Sequence, residues 1–524
     1  MPDSPAPNLN LADYFPPTSE EAWRSQIDKD LGDAVFEETL LWQPMDGLSL
    51  KPYYRRDDDA RRPPLLRRKR SWTVVQALPG DASLDAVTHV VEKGAEGLAF
   101  SGTVIGDEVH GLPAWTADEW RALGQSAGDA SLILRLQDVE GRALALLLER
   151  LREGWAGATG AILADPIAAW GQTGKGAVDM GIERLLTLVA DAPDARLRLL
   201  GVDVTPVGES GGSHVHRIGV ALASVSEYLA AGQANGIDLQ TAADHLHIRL
   251  PIGTSYPLDV GMLRALRLLL PDVLSAYDAP EAVPPVVASL DEHTLTRYAP
   301  YTNMLRGSTA AAAAIVGGCD GLLIPPYDAL HSDASALGER VARNTQLILK
   351  HESRVGYVED PAAGAYYFEE ITRQLAHAGW DLFQSIEAAG GLRAAYRQGL
   401  VQEAVEAHAA RESAAVDQRK RVLVGATHYP NVDETYLDGD ALPSETSVHA
   451  LPDGTTAPHL TEDAISPLRA QRLAAAIENL RQKADRWADA NGQRPRAALL
   501  PLGSRTMRSA RANFARNYLG CGGF

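Results

Sequence analysis

Cysteine is almost missing from this sequence: Cys319 and Cys521 stand far apart in 524 residues. Two distant thiols build neither a disulfide framework nor a zinc cluster, so a reducing compartment is expected. Long apolar runs are missing as well. No stretch is continuous enough to span a bilayer, and the Pro- and Asn-rich start, Met1 to Asn10, lacks the apolar core of a secretory signal. Basic charge is in deficit, with 49 Lys and Arg against 68 Asp and Glu and a net charge of -19. That deficit excludes nucleic acid as the main partner, because phosphate contacts need surplus Lys and Arg. There is also no Gly-x-x-x-x-Gly-Lys phosphate loop and no His-Glu-x-x-His zinc motif. The expectation is a soluble, cytoplasmic chain with no membrane partner.

What is present is an ordinary globular composition, 45% hydrophobic and 22% charged. The length calls for one large domain with appendages, or for two to three domains. Residues 1–70 read as an N-terminal arm. It has a Pro-rich leader, a helix start at Ser19-Glu20-Glu21-Ala22-Trp23, a charged run from Arg55 to Arg62, and a basic cluster Arg67-Arg68-Lys69-Arg70. That cluster reads as a solvated rim or, less simply, as a phosphate contact.

From Ser71 short Val/Ile/Leu runs alternate with amphipathic helical stretches. The predicted strands are Trp72-Ala77, Leu98-Ile105, Leu132-Gln137, Ala161-Pro166, Leu197-Pro206, Leu246-Ile252, Pro285-Leu290 and Gly321-Pro326. Eight βα units over roughly 250 residues predict a (β/α)8 TIM barrel within residues 71–395, with an open doubly wound sheet as the alternative. Helices are predicted after the barrel at Ala336-Ser353 and Phe368-Ala389, the latter stopped by Gly390-Gly391. Residues 396–493 read as helical and irregular linker, with a helix from Leu468 to Asn491. In 494–524, Arg496 to Gly503 is predicted as a buried strand and Arg508-Tyr518 as its helix, the first βα unit of a truncated doubly wound domain.

Several ordered segments resemble one family. Tyr14-Phe15-Pro16-Pro17-Thr18-Ser19-Glu20-Glu21-Ala22-Trp23 is similar to the leader of the small, or beta, subunit of methylmalonyl-CoA mutase. Asp46-Gly47-Leu48-Ser49-Leu50-Lys51-Pro52-Tyr53-Tyr54 resembles that family's lead-in to the barrel. Ala342-Arg343-Asn344-Thr345-Gln346-Leu347-Ile348-Leu349, with Glu352-Ser353, and Asp360-Pro361-Ala362-Ala363-Gly364-Ala365-Tyr366 resemble two further signatures. The resemblance implies a barrel threaded by an acyl-CoA and a flavodoxin-like domain holding adenosylcobalamin through an Asp-x-His-x-x-Gly ligand. The isomerisation implied interconverts succinyl-CoA and methylmalonyl-CoA, and the cofactor supplies the radical chemistry.

Carried over position by position, the resemblance predicts no catalytic, cofactor-binding or metal residue in this chain. Thr205 and Pro206 stand where the active chain has its Tyr-His pair at the end of strand five, with Glu209 and Gly211 keeping the register. Pro284-Pro285-Val286-Val287-Ala288-Ser289-Leu290 replaces a polar run on strand seven. Pro325-Pro326-Tyr327 replaces a second polar motif, although Asp328 keeps its place. Asp291-Glu292-His293-Thr294 is the nearest look-alike of the cobalt-ligand motif, with Thr296 where Gly belongs, and reads as chance. His214 and His216 read as helix-start or surface residues, His247 and Arg249 as a strand pattern, and Arg306, Arg343 and Asn344 as structural. The expectation is a non-catalytic small subunit paired with a large catalytic chain in a heterodimer, adenosylcobalamin and acyl-CoA being bound in the holoenzyme and not by this chain alone. The alternatives are the barrel chain of a split mutase and a CoA-ester-binding or assembly-factor barrel.

Overall fold

The computed structural model describes residues 14, 18–45, 47–54, 71–105, 108–112, 116–137, 143–192, 195–331, 335–434 and 464–524. The charged run Arg55 to Arg62, the basic cluster Arg67 to Arg70, the leader Met1 to Asn10 and most of the stretch Gly425 to Ser466 lie outside the described residues. Chain contacts divide the molecule into Met1–Asp59 and Ala60–Phe524.

In the first unit, Glu20–Leu31 is helical because the Ser19 hydroxyl accepts from the Ala22 amide and Glu20 and Glu21 sit in the first turn. Trp23 packs on Phe36 and Tyr53, and Trp42 and Leu50 form an antiparallel bridge.

The second unit is built on eight parallel staves. They are β1 (Thr73–Ala77), β2 (Gly97–Ile105), β3 (Ser131–Gln137), β4 (Gly160–Ala164), β5 in two pieces (Leu197–Arg198 and Leu200–Asp203), β6 (Leu246–Ile252), β7 (Val286–Leu290) and β8 (Gly321–Leu323). Each pairs with the next in order, and β8 pairs with β1 through Thr73↔Gly321 and Val75↔Leu323. The predicted barrel is therefore the observed architecture. Leu199 separates the pieces of β5, which bond to β4 on one side and β6 on the other. One face of each strand packs Leu, Ile and Val against the surrounding helices, and the other fills the barrel. The outward set includes Leu132, Leu134, Val202, Ile248 and Leu250, all fully buried.

The helix between β2 and β3 that eight βα units require is Ala117–Ala127, started by a complete capping box of Thr116 and Glu119. Two elements differ from the sequence-based expectation. The predicted helix from Leu468 begins only at Ala475; the preceding residues run extended, their amides bonded to barrel loops. Arg496 to Gly503 is not a buried strand. It makes no ladder with any described strand, and Leu500 and Leu502 are 83% and 78% exposed. An isolated strand cannot satisfy its own backbone, so pairing, and not composition, decides its fate. The helix after it does form, as Arg505–Cys521 capped by Ser504.

Candidate functional site

The C-terminal mouth of a parallel barrel is where its βα loops present side chains. Here that mouth holds a connected set of buried charges. Side chains alternate along a strand, so Arg135 on β3, Asp203 at the end of β5, Arg249 on β6 and Ser289 on β7 all face inward. Arg135 Nε donates to Asp203 Oδ2 at 3.0 Å, and its second nitrogen reaches Thr205 Oγ1 at 3.3 Å. Thr205 donates its hydroxyl to Asp203 Oδ1 at 2.6 Å and its amide to the same oxygen at 3.0 Å. Burial pushes the Asp203 carboxyl up, but Arg135, Arg249 and the Thr205 bonds outweigh it and hold it below the usual carboxylate range.

A second carboxyl anchors the loop after β4. Asp165 caps the helix Pro166–Thr173 by accepting from the Ile167 and Ala168 amides, each at 3.0 Å. It also accepts from the Asp203 amide at 2.7 Å and from the Tyr228 hydroxyl at 2.7 Å. Burial still raises its pKa to about 6. Sequence reading missed Asp165, Tyr228 and Arg135. The signals were there: a charge inside the alternating run Leu132 to Leu136, and an Asp-Pro step directly after a strand.

Thr205 and Pro206 open the short helix Thr205–Glu209 and are both buried. The Thr205 hydroxyl is committed to Arg135 and Asp203, and Pro206 brings no side-chain donor. Glu209, at the end of that helix, faces Glu292 of the turn after β7. Neither carboxylate makes a hydrogen bond or ion pair among the described residues. Burial raises both, Glu209 to about 8, and each is further raised by an acidic neighbour. Arg249 reaches only Ser289 at 3.4 Å and Asp203 at 3.9 Å, and burial and Arg135 lower its pKa.

The remaining sequence-predicted positions are placed as follows. His216 accepts from the Ser213 amide through Nδ1 and closes a capping box, and His214 donates to Asp259 at 3.1 Å. His247 is buried with both ring nitrogens lacking a hydrogen-bond partner, and burial lowers its pKa to about 3. Val286 to Leu290 is buried strand. Tyr327 stacks on Tyr301, and Asp328 accepts from the Ser335 amide. Arg306 bonds Thr296, Asn303 and the Val424 carbonyl, while Arg343 donates to Gln76 at 2.5 Å. Asn344 lies on the helix Ala336–Leu347.

The residues nearest to a cobalt-ligand motif do not fit that role. Asp291 Oδ2 pairs with Arg217 at 2.6 Å and its Oδ1 accepts the His293 amide, so neither oxygen meets the imidazole. The ring itself is buried, Nδ1 donating to the Gln471 carbonyl at 2.5 Å and Nε2 lying 3.7 Å from Glu412. A corrin has no approach to it. No group of three or more His, Cys, Asp or Glu suited to a metal occurs among the described residues.

A strap is also tied to the loops of the mouth. The amides of Ile465 and Leu468 donate to Gly174 and Gly171 after β4, Gln471 to Glu209 after β5, and Leu473 to His293 after β7, all at 2.7–3.0 Å. Gln471 adds a side-chain bond to the Ser210 carbonyl at 3.2 Å. No helix among the described residues is long and apolar enough to cross a membrane.

Comparison with known proteins agrees with the resemblance carried by the sequence motifs. The family described as methylmalonyl-CoA mutase matches residues 187–454. The methylmalonyl-CoA mutase small subunit of Streptomyces virginiae is 30% identical, over 99% of this chain and 85% of its own length. The small subunit from Porphyromonas gingivalis is 27% identical over 98% of this chain and 84% of its own. The methylmalonyl-CoA mutase of Escherichia coli is 33% identical over 46% of this chain and 34% of its own length. The chain belongs to the methylmalonyl-CoA mutase family of isomerases.

Proposed function

We propose that this chain is the non-catalytic small subunit of a heterodimeric, adenosylcobalamin-dependent methylmalonyl-CoA mutase, with turnover carried out by a large partner chain. The observation that carries this reading is the use made of the barrel mouth. Where the resemblance places a Tyr-His pair, Thr205 is tied to Arg135 and Asp203, and Pro206 offers nothing to transfer or donate. The segment Ile465 to Leu473 is bonded to the loops after β4, β5 and β7. A mouth spent on internal pairing, with its loops tied to its own chain, supports a scaffold role. The small-subunit names of the relatives support a partner chain, and the two-unit organisation suits an N-terminal arm that wraps it.

The test is expression of this chain alone and together with a large mutase chain, followed by size exclusion and a mutase assay with adenosylcobalamin. Co-elution and turnover only in the pair are expected; turnover by this chain alone would sink the reading. The double substitution Thr205→Tyr with Pro206→His is expected to restore no activity in the isolated chain, because no residue set among the described residues fits the cobalamin.

A further inference from the structure

We propose that the basic segment from Arg494 to Phe524 is an interchain arm that docks on the acidic surface of a second copy of this chain. After Asp489 the sequence holds six Arg and not one Lys, Asp or Glu. Taking those six from 49 leaves 43 basic residues against 68 acidic ones, so the rest of the chain carries a charge of -25. The segment is fastened at both ends. Arg494 pairs with Asp485 at 2.9 Å and donates to the carbonyls of Glu434 and Gly523. Near the other end, Arg419 donates to Asn517 at 2.7 Å and lies over the Phe514 and Tyr518 rings, and Cys521 is buried.

Between those anchors the segment is bare. Every residue from Arg496 to Arg511 is exposed, Leu500, Leu502 and Met507 among them. The backbone of Arg496 to Gly503 bonds to nothing among the described residues, and Arg496, Arg505, Arg508, Arg511 and Arg516 have no ion pair there. An extended stretch with open backbone groups is a template for pairing, and helical turns that touch nothing are marginal in water. Large apolar side chains set among unpaired guanidiniums fit a surface with apolar spots and negative charge. This chain offers that pattern. At the start of the helix Leu84–Glu92, exposed Leu84 stands between exposed Asp81 and Asp85. In a two-fold pair each arm would lie on the other copy's body, so one symmetric contact covers both. Repulsion between two chains of net charge -19 is screened beyond about 8 Å at physiological salt, whereas the Arg side chains act at contact.

The test is sedimentation velocity on the full chain alone, with amide hydrogen exchange read on the same samples. A dimer is expected at low salt. The triple substitution Arg508→Glu, Arg511→Glu, Arg516→Glu should raise its dissociation constant on the order of a hundredfold, because three charges on each of two arms are lost at roughly twofold apiece. Raising the salt to about 1 M, where screening reaches in to about 3 Å, should dissociate the wild type with no substitution at all. The amides of Leu499, Leu500 and Leu502 should exchange about tenfold more slowly in the dimer than in the monomer. A monomer at low salt, or a dimer that either treatment leaves intact, would overturn the proposal. So would arm amides that gain protection only when a large mutase chain is added, since that chain would then be the occupant. None of these readouts involves turnover, so they stand or fall apart from the small-subunit reading.

Discussion

Two groups of buried charge in the same barrel are handled differently. On the outer helix Tyr256–Ala276, Arg264 is bound by Asp360, Glu369 and Thr372, and Arg267 by Asp320 and the carbonyls of Pro284 and Gly318. Those guanidiniums fasten the outer helix to neighbouring segments and are closely paired. At the mouth, Glu209 and Glu292 have no such partner and Arg249 has only distant ones. On the outer helix each guanidinium is neutralised at contact distance, whereas at the mouth Arg135 pairs with Asp203 while Glu209, Glu292 and Arg249 are left without a close partner among the described residues.

The comparison can be broken at several points. Arg264→Ala should cost the most, about 3–5 kcal/mol in urea unfolding, because it strands Asp360 and Glu369 together. A loss under 1 kcal/mol would erase the contrast. Glu209→Gln should act in the opposite direction and depend on pH. Below the ordinary Glu value of 4.5 the carboxyl is neutral folded and unfolded, so the variant changes little. Between 4.5 and about 8 only the unfolded chain ionises, and the wild type loses stability that the amide keeps. The gain should reach on the order of 3 kcal/mol at pH 8, read from urea midpoints at pH 4 and pH 8.

On the acid side, burial lowers His408 to about 4. Its neutral form contributes stability that is complete above 6.5 and lost as pH falls towards 4. His408→Gln should remove about 2 kcal/mol of that acid loss, measured as the change in unfolding free energy between pH 7 and pH 4. Thr205→Val should have the smallest effect, about 1 kcal/mol of stability at pH 7 by the same urea titration, because Arg135 still holds Asp203 when the hydroxyl is gone.

The barrel was legible because its strands are short β-branched and Leu runs between amphipathic helices, a local signal that survives in one sequence. All eight predicted strands overlap the observed staves. The placing of Thr205 and Pro206 at the end of strand five was legible too, and both lie directly after β5, at the start of the helix Thr205–Glu209. The pairing of Arg135 with Asp203 was not, since 68 residues separate them and no local pattern announces the meeting. From Leu468 on, the strap was read as helix because its residues suit one; its amides are claimed instead by loops placed by the barrel. At Arg496 to Gly503 the opposite error occurred, where strand-like composition found no strand to join.

Ring closure sets the order of assembly. Thr73 of β1 meets Gly321 of β8 across a separation of 248 residues, 321 minus 73, so the first stave waits for the last. As the chain leaves the ribosome, Val74 and Val75 carry an open hydrogen-bonding edge through the synthesis of seven further staves. A contact of such long sequence range forms late and slows the search. The seam between β1 and β8 is therefore the place where folding of this chain finishes and where a chaperone has the most time to act.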